Sequence, residues 1–162
     1  MRGSSCGCPF SSGAACTRDT GSVASEESTT PGLVELMRRR VAAADSGDVE
    51  AMTSFLASDA VWDSSPMGME VFEGREAIRR FFADWWGLYD MSGAEAEEIL
   101  DLGNGVTFAV LTLKGHLVGS GDVRLRYAAV TAWVEGAVAR DANYTDIDEA
   151  RAAAERLAEE RE

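Results

Sequence analysis

His116 is the only histidine of the chain and, by residue type, the best suited to move protons, because imidazole titrates closest to neutral pH. Lys114 lies two residues earlier in a run of β-forming residues, so both side chains would share one face of a strand. In that arrangement His116 would act as a base and Lys114 as an electrostatic helper. The favoured interpretation of a lone strand histidine is a surface or structural residue, here on the open rim of a barrel.

Aromatic side chains form a second group that could act on a small molecule. Phe82, Trp85 and Tyr89 follow Ile78 at helical spacing, and Trp62 comes after the apolar start of a short strand. Such rings could line a ligand cavity. They could also fill a hydrophobic core, which is the favoured interpretation for Phe82 and Trp85.

Composition limits the classes of function. The 162 residues carry a net charge of −13. Because so acidic a surface repels phosphate groups, we expect neither a nucleic-acid nor a membrane partner. All three cysteines lie within the first sixteen residues, so the folded part has no disulfide, which predicts a cytoplasmic location. Phosphate loops, metal signatures and nucleophile elbows are absent from the sequence, so we expect no cofactor and no metal.

The first half of the chain predicts a tail followed by helices. Residues 1–32 are rich in Gly, Ser and Thr with few large apolar side chains, which predicts a disordered tail. An apolar stripe predicts a first helix that Gly47 ends, and Asp48 can cap a second helix. Residues 60–64 are typical of a short strand, and a third, aromatic-rich helix begins after Gly74.

The second half of the chain predicts strands. Residues 95–102, 106–118, 123–134 and 137–144 are β-forming runs separated by turns, and Asp146 can cap a last helix. Strands gathered after helices indicate an α+β fold rather than a parallel α/β sheet. A curved antiparallel sheet wrapped around a long helix would form a cone whose apolar interior is a natural small-molecule pocket.

Four stretches occur in this order along the chain: AADSGDVEAMTSFLASDAVW (43–62), FEGREAIRRFFADWW (72–86), GSGDVRLRYAAVTAWVEG (119–136) and RDANYTDIDEA (140–150). Together they resemble the SnoaL-like branch of the nuclear transport factor 2-like superfamily. The resemblance assigns residues 33–160 to one SnoaL-like domain with a cone-shaped sheet. Polyketide cyclases, ketosteroid isomerases, epoxide hydrolases, dehydratases and binding domains share this fold, so the function must be read from the site.

The catalytic positions of ketosteroid isomerases can be aligned with this sequence, but the residue types at these positions differ. Their base position, at the end of the first strand, aligns with Ser64, and Asp63 is adjacent. Strand alternation places Ser64 on the face of Trp62 and Asp63 on the other face, although a slip of one residue would turn Asp63 inward. The positions of the two oxyanion donors align with Arg40 and with the apolar pair at 129–130.

Two other activities of the family would use side chains on the later strands. Epoxide hydrolases of this fold use an arginine and two aspartates. The aligned residues here are Lys114, His116 and Asn143, and at all three positions the residue type differs from that of the hydrolases. These residues could form a polar corner of the pocket or a solvated rim. Cyclases of this branch use a His–Asp type of pair, and the available pairs join His116 with Asp63, Asp122 or Asp141.

These features predict a pocket domain that binds a small, largely apolar molecule. The predicted ligand-binding residues are Trp62, Ser64, Phe82, Tyr89, Lys114 and Asn143. The alternative is a cofactor-independent acid–base enzyme acting on a cyclic ketone or polyketide-like substrate, with His116 and Asp63 as catalytic residues. The positions at which the related enzymes carry catalytic carboxylates hold other residue types here, and this favours binding over catalysis.

The resemblance also implies a homodimer formed through the outer face of the sheet. Ala128, Val130 and Ala132 alternate along one strand, on the same face as Arg124 and Arg126. This pattern predicts an apolar patch edged by charge. Such a patch would be left exposed in a monomer.

Overall fold

Two helices joined by a tight turn open the described chain, which comprises residues 32–89, 91–117 and 119–162 of a computed structural model. Helix α1 spans Leu33–Ser46 and helix α2 spans Val49–Thr53. Gly47, at a φ of 77°, turns the chain between them. Asp48 caps α2 by accepting a hydrogen bond from the backbone N–H of Ala51 at 3.0 Å. Nearly all of the predicted tail lies outside the described residues.

The rest of the described chain forms six strands, a short 3-10 turn and two longer helices. In order they are β1 (Leu56–Asp63), the 3-10 turn (Ser65–Met67), β2 (Val71–Glu73), α3 (Arg75–Tyr89), β3 (Met91–Gly103), β4 (Val106–Leu117), β5 (Gly121–Val134), β6 (Ala137–Tyr144) and α4 (Ile147–Glu160). Within these described ranges, no helix combines the length and the apolar character that crossing a bilayer requires.

The strands form one curved sheet in the order β2-β1-β6-β5-β4-β3. Strand β1 lies parallel to β6, and the other neighbouring strands are antiparallel. The α+β prediction is therefore confirmed, with one parallel pair that it did not include. Strand β1 also begins at Leu56, earlier than the predicted residue 60, because Leu56 pairs with Val138 of β6. Distant pairing of this kind leaves no local signal in a sequence.

The sheet has two buried faces with different partners. On the inner face, Leu111 and Leu113 of β4 pack with Met37 of α1 and with Phe82 of α3. On the outer face, Phe108 of β4 belongs to a second cluster that α4 covers with alanines. Because side chains alternate along a strand, residues of β4 with odd numbers face inward and those with even numbers face outward.

Helix α4 covers the outer face where the sequence predicted an exposed apolar patch. Ala128 and Val130 pack in one cluster with Ala150 and Ala154 of α4, and all four are buried. The expectation that this strand leaves an exposed patch is therefore wrong. The physical reason is that the last helix folds back over β4 and β5 of its own chain. The homodimer itself stays a prediction.

The turn between β3 and β4 anchors the end of α4. Asn104 donates from Nδ2 to the carbonyl of Ala158 at 2.7 Å, and its own carbonyl accepts from Nε of Arg161 at 2.9 Å. Gly105, at a φ of 79°, accepts from the backbone N–H of Trp133 at 2.7 Å. A Cβ at Gly105 would lie 2.7 Å from the Trp133 carbonyl oxygen, so only glycine fits here.

Gly105→Ala should therefore destabilise the domain more than Gly103→Ala, which is its matched control. Both glycines have positive φ values, but nothing lies within 4 Å of a Cβ at Gly103. We expect Gly103→Ala to cost about 1–2 kcal/mol of backbone strain. Gly105→Ala should cost about 1–3 kcal/mol more, because backbone must move. Urea unfolding of both variants measures the difference, and equal losses would contradict the close contact.

Candidate ligand-binding site

Helix α1 and strand β6 bring two oppositely charged side chains into the interior. Arg40 lies three residues after Met37, on the buried stripe of α1, and is 5% exposed. Asp141 and Asn143 alternate along β6 and so share its inner face, each 1% exposed. A strand and a helix distant in sequence thus place polar groups in an otherwise apolar interior.

Arg40 and Asp141 form a buried ion pair. Nη2 of Arg40 lies 2.5 Å from Oδ2 of Asp141, and Thr131 donates from Oγ1 to Oδ1 at 2.7 Å. Thr131 is the partner of Asp141 in the β5–β6 register, and Trp62 is its partner in the β1–β6 register. The guanidinium carbon of Arg40 also lies 5.9 Å from the centre of the Trp62 ring, within range of a cation–π contact. Both carboxylate oxygens of Asp141 therefore accept hydrogen bonds from protein donors.

Donor groups remain beside this pair. Nε and Nη1 of Arg40 are buried without a hydrogen-bond partner among the described residues, and the same holds for Nε1 of Trp86. Arg40, Asp141 and Trp86 line one cavity, here called the Arg40 chamber, together with apolar side chains of α1, β3 and β4. Buried donors without partners are costly, so this chamber suits a molecule that carries a hydrogen-bond acceptor.

A second cavity, here called the Asn143 chamber, adjoins the first. It is lined by Ser64 and Asn143 and by apolar side chains that include Met67 and Met69. Nδ2 of Asn143 lies 3.4 Å from Oγ of Ser64, at the long limit of hydrogen bonding. Oδ1 of Asn143 is buried and has no partner within the described part of the chain.

The two chambers share walls and differ in size. Their common lining is Trp62, Phe82, Leu113 and Tyr127. The free space is about 40 Å³ in the Arg40 chamber and 20 Å³ in the Asn143 chamber. On this measure a cavity needs about 10–15 Å³ to hold one water, so each chamber has room for at least one.

The Tyr127 side chain lies on the wall between the chambers and stays protonated. Burial raises the pKa of its hydroxyl well above the ordinary value, the nearby Asp141 charge raises it further, and Arg40 partly opposes them. A phenol in this environment remains a neutral group that can donate a hydrogen bond across the physiological pH range.

The sequence of this domain matches a recognised family. Residues 37–141 match the SnoaL-like domain. The chain belongs to the SnoaL-like domain family. No protein among those with a curated description matches the sequence.

Solved structures show the same fold at low sequence identity. A hypothetical protein with a ketosteroid isomerase-like fold from Catenulispora acidiphila DSM 44928, in complex with trimethylamine, is 15% identical, with a TM-score of 0.62 over 73% of this chain and 90% of that one. A putative isomerase from Bacillus subtilis is 22% identical, with a TM-score of 0.60 over 73% and 91%. An NTF-2 like protein of unknown function from Burkholderia xenovorans LB400 is 20% identical, with a TM-score of 0.57 over 68% and 79%.

Four of the six ligand-binding residues predicted from sequence line the cavity of this SnoaL-like domain. Trp62 and Phe82 border both chambers, and Ser64 and Asn143 border the second. The rings of Trp62 and Phe82 meet edge to face, with centres 4.8 Å apart. The side chain of Tyr89 lies outside the described part of the structure. Whether any of these residues contacts a ligand stays a prediction.

The structure does not bring the two predicted catalytic residues together. His116 has an even number on β4 and therefore lies on the outer face of the sheet. Its side chain is 51% exposed, and its Nδ1 lies 3.3 Å from Oδ1 of Asp122. Lys114, the remaining predicted ligand-binding residue, shares that outer face and forms an ion pair with Glu95. Neither residue borders the two chambers.

Asp63 also points away from the cavity. Its Oδ1 accepts from the backbone N–H and the Oγ of Ser65, at 2.9 and 2.6 Å. Its Oδ2 lies 2.5 Å from Nη2 of Arg140. The alternation expected from sequence, with Trp62 and Ser64 inward and Asp63 outward, is what the structure has. The catalytic role of His116 and Asp63 stays a prediction, and the geometry places other residues in the cavity.

Sequence reasoning did not propose Arg40, Asp141 and Trp86 as ligand-binding residues. The signal for Arg40 was present, because a charged residue in phase with Leu33 and Met37 stands out on an apolar stripe. Asp141 alternates with Asn143, so the inward assignment of one implied the other. Trp86 only broadened an aromatic stripe, and nothing in the sequence marked its indole N–H as unpaired.

The buried ion pair predicts a large and coupled effect on stability. Arg40→Met leaves the Asp141 carboxylate buried with Thr131 as its remaining donor, and should lower the free energy of unfolding by about 3–5 kcal/mol. Arg39→Met is the matched control, because Arg39 is exposed and pairs with Glu35 at 3.3 Å on the same helix. That variant should change stability by about 0.5 kcal/mol or less. Adding Asp141→Asn to Arg40→Met should recover part of the loss, and strictly additive losses in urea unfolding would contradict the pairing.

Asp63 predicts a pH-dependent contribution to stability. Burial raises the pKa of Asp63, but the hydrogen bonds from Ser65 and the charge of Arg140 outweigh it and hold the pKa below the ordinary value. The stabilisation is therefore complete above the unfolded pKa of about 3.9 and is lost as pH falls through the lower folded value. Asp63→Asn should cost about 1–2 kcal/mol at pH 7, and this difference from wild type should shrink below about pH 4. A difference that stays constant down to pH 2 would show that the charge contributes nothing.

Proposed function

We propose that this SnoaL-like domain binds a small, uncharged, largely apolar molecule in the two chambers, with a hydrogen-bond acceptor of the ligand directed at Arg40 and Trp86. The observation that carries the proposal is the burial of Nε and Nη1 of Arg40 with no partner in the described residues. A ketone, lactone or ether oxygen would accept a hydrogen bond from one of these donors. The surrounding side chains supply apolar contact for the rest of the molecule.

Charge balance supports an uncharged ligand. Arg40 and Asp141 already neutralise each other inside the chamber. A carboxylate ligand would add an uncompensated buried negative charge, and an ammonium ligand would meet the positive guanidinium. A neutral acceptor gains a charge-assisted hydrogen bond from Arg40 without either cost.

Cavity size supports a small ligand. The chambers, at about 40 and 20 Å³, are each smaller than the roughly 150 Å³ cavity that takes benzene, so even a small ring would have to shift side chains slightly. A polyketide-sized molecule would have to displace side chains that now form the shared wall. The trimethylamine complex of the Catenulispora acidiphila protein is consistent with small ligands in this fold, although Arg40 would disfavour a cation here.

The polar groups of the chambers favour binding over acid–base turnover. Asp141 is the one carboxylate among the described residues that line the two chambers, and both of its oxygens accept hydrogen bonds from protein donors. A carboxylate held in this way orients Arg40 instead of taking a proton from a ligand. We therefore rank the alternative, a cofactor-independent enzyme acting on a cyclic ketone, second.

The test compares cyclohexanone with methylenecyclohexane, which has the same shape but no acceptor oxygen. Cyclohexanone should bind about tenfold more tightly, because a hydrogen bond to a charged donor contributes about 1.5 kcal/mol or more. Cyclohexanecarboxylate should bind more weakly than cyclohexanone. Binding is followed from the Trp indole N–H signals in ¹H–¹⁵N NMR titrations.

Two variants locate the effect. Trp86→Phe keeps an aromatic ring, although a smaller one, and removes the indole donor, and it should reduce the preference for the ketone over the hydrocarbon about threefold or more. His116→Gln changes a residue on the outer face and should leave both affinities unchanged. Equal binding of the ketone and the hydrocarbon by wild type would overturn the proposed function. Loss of binding in His116→Gln would transfer the site to the outer face.

A further inference from the structure

An aromatic groove lies on the solvent side of α3, beside the edge strand β2. Three rings form a row in which Phe72 stacks on Phe81, with centres 4.6 Å apart, and Phe81 stacks on Trp85, with centres 5.6 Å apart. All three side chains are half-buried. The groove, here called the α3 groove, has a volume of about 510 Å³ and is completed by Ala77, Arg80 and Asp84.

A neighbouring depression extends this apolar surface. It has a volume of about 370 Å³, shares Phe72 and Phe81 with the α3 groove, and is also lined by Met69. Met69 is 41% exposed and is one of three large apolar side chains that are exposed among the described residues. A continuous apolar surface on one side of a small domain is typical of a contact site.

Two opposite charges border the row of rings. Arg80 and Asp84 are four residues apart on α3, and both side chains are exposed. Neither forms an ion pair or a side-chain hydrogen bond with another described residue, whereas Arg79 of the same helix pairs with Glu76 and Glu50. Residues at this spacing can pair with each other, but these two do not. Both charges therefore remain available to a partner.

This surface is complementary to a second copy of itself. When two α3 helices lie antiparallel across a two-fold axis that passes midway between Arg80 and Asp84, Arg80 lies opposite the partner's Asp84. The axis repeats the contact, so each dimer contains two such pairs. Ala77 and Gly87 lie at equal distances from this axis, and nothing lies within 4 Å of a Cβ at Gly87, so the helices can approach closely at both ends.

We infer that the α3 groove is the interface of a homodimer, in which it is covered by the same face of a second copy. Exposed ion pairs contribute little affinity by themselves, so the rings and Met69 supply the attraction and the charges fix the antiparallel orientation. This face differs from the outer sheet face, part of which α4 covers. Dimerisation here requires no ligand and is therefore independent of the proposed function.

Charge reversals in the full chain test this interface by sedimentation velocity. The wild type should sediment at twice the monomer mass at micromolar concentration. Arg80→Glu places two acidic groups opposite each other at both contacts, and Asp84→Arg places two arginines there. Each single variant should therefore raise the dimer Kd about tenfold or more. Combining both substitutions in one chain restores opposite charges and should restore the wild-type Kd.

Mixing the two single variants gives a test that is specific to this geometry. In a mixed dimer, the Arg80→Glu chain carries two acidic groups and the Asp84→Arg chain carries two arginines, so both contacts become attractive. An equimolar mixture should form dimers at concentrations where neither variant does so alone. A general loss of stability in either variant cannot produce this result, and circular dichroism checks that each variant is folded.

Arg124→Glu is the matched control, because it makes the same change of net charge as Arg80→Glu but at an exposed position on the outer face of β5. It should leave the dimer Kd unchanged. A monomeric wild type, or a dimer that survives both single reversals, would overturn the inference. So would a mixture that stays monomeric, because Arg80 would then not face Asp84. Dissociation by Arg124→Glu with an intact Arg80→Glu dimer would move the interface to the sheet face.

Discussion

A guanidinium and a carboxylate that are both almost excluded from solvent determine what the interior of this domain can hold. Removing two charges from water is costly, and the cost is offset here by the direct pair, by the Thr131 hydroxyl and by the Trp62 ring. The pair also attaches α1 to β6. Because the walls around it are apolar, the remaining donors of Arg40 act in a medium of low polarity, where hydrogen bonds are strong and directional.

The pairing register of the strands fixes which residues lie beside this ion pair. The residues that flank Asp141 in the sheet, Trp62 on one side and Thr131 on the other, are fixed by register. Asn143 follows on the same face, so the ion pair and the amide cannot be moved independently. The spacing between the ion pair and the amide is therefore a property of β6, and side chains of α3 and β4 form walls that the two chambers share.

Local patterns in the sequence predicted the element types, the α+β class and the inward face of Trp62 and Ser64. They missed the parallel pairing of β1 with β6 and the covering of the outer face by α4, because both are contacts between distant segments with no local signature. By residue type His116 is the side chain best suited to move protons. Its even number on β4, however, places it on the outer face of the sheet, whereas Leu111 and Leu113 lie on the inner face. The Arg40–Asp141 pair joins residues 101 positions apart, and periodicity in either segment could mark a buried charge but not its partner.

The parallel pair has a consequence for how the domain is made. Strand β1 is an early segment, yet its neighbour in the sheet is the last strand, so β1 and β2 cannot join the sheet until nearly the whole domain has been synthesised. Until then α1 carries an unpaired arginine on its apolar stripe, and β1 presents an open edge. Closing so long a loop slows folding, and open strand edges invite pairing between chains. We therefore expect this domain to fold late on the ribosome, in one cooperative step, and to depend on chaperones when it is overproduced.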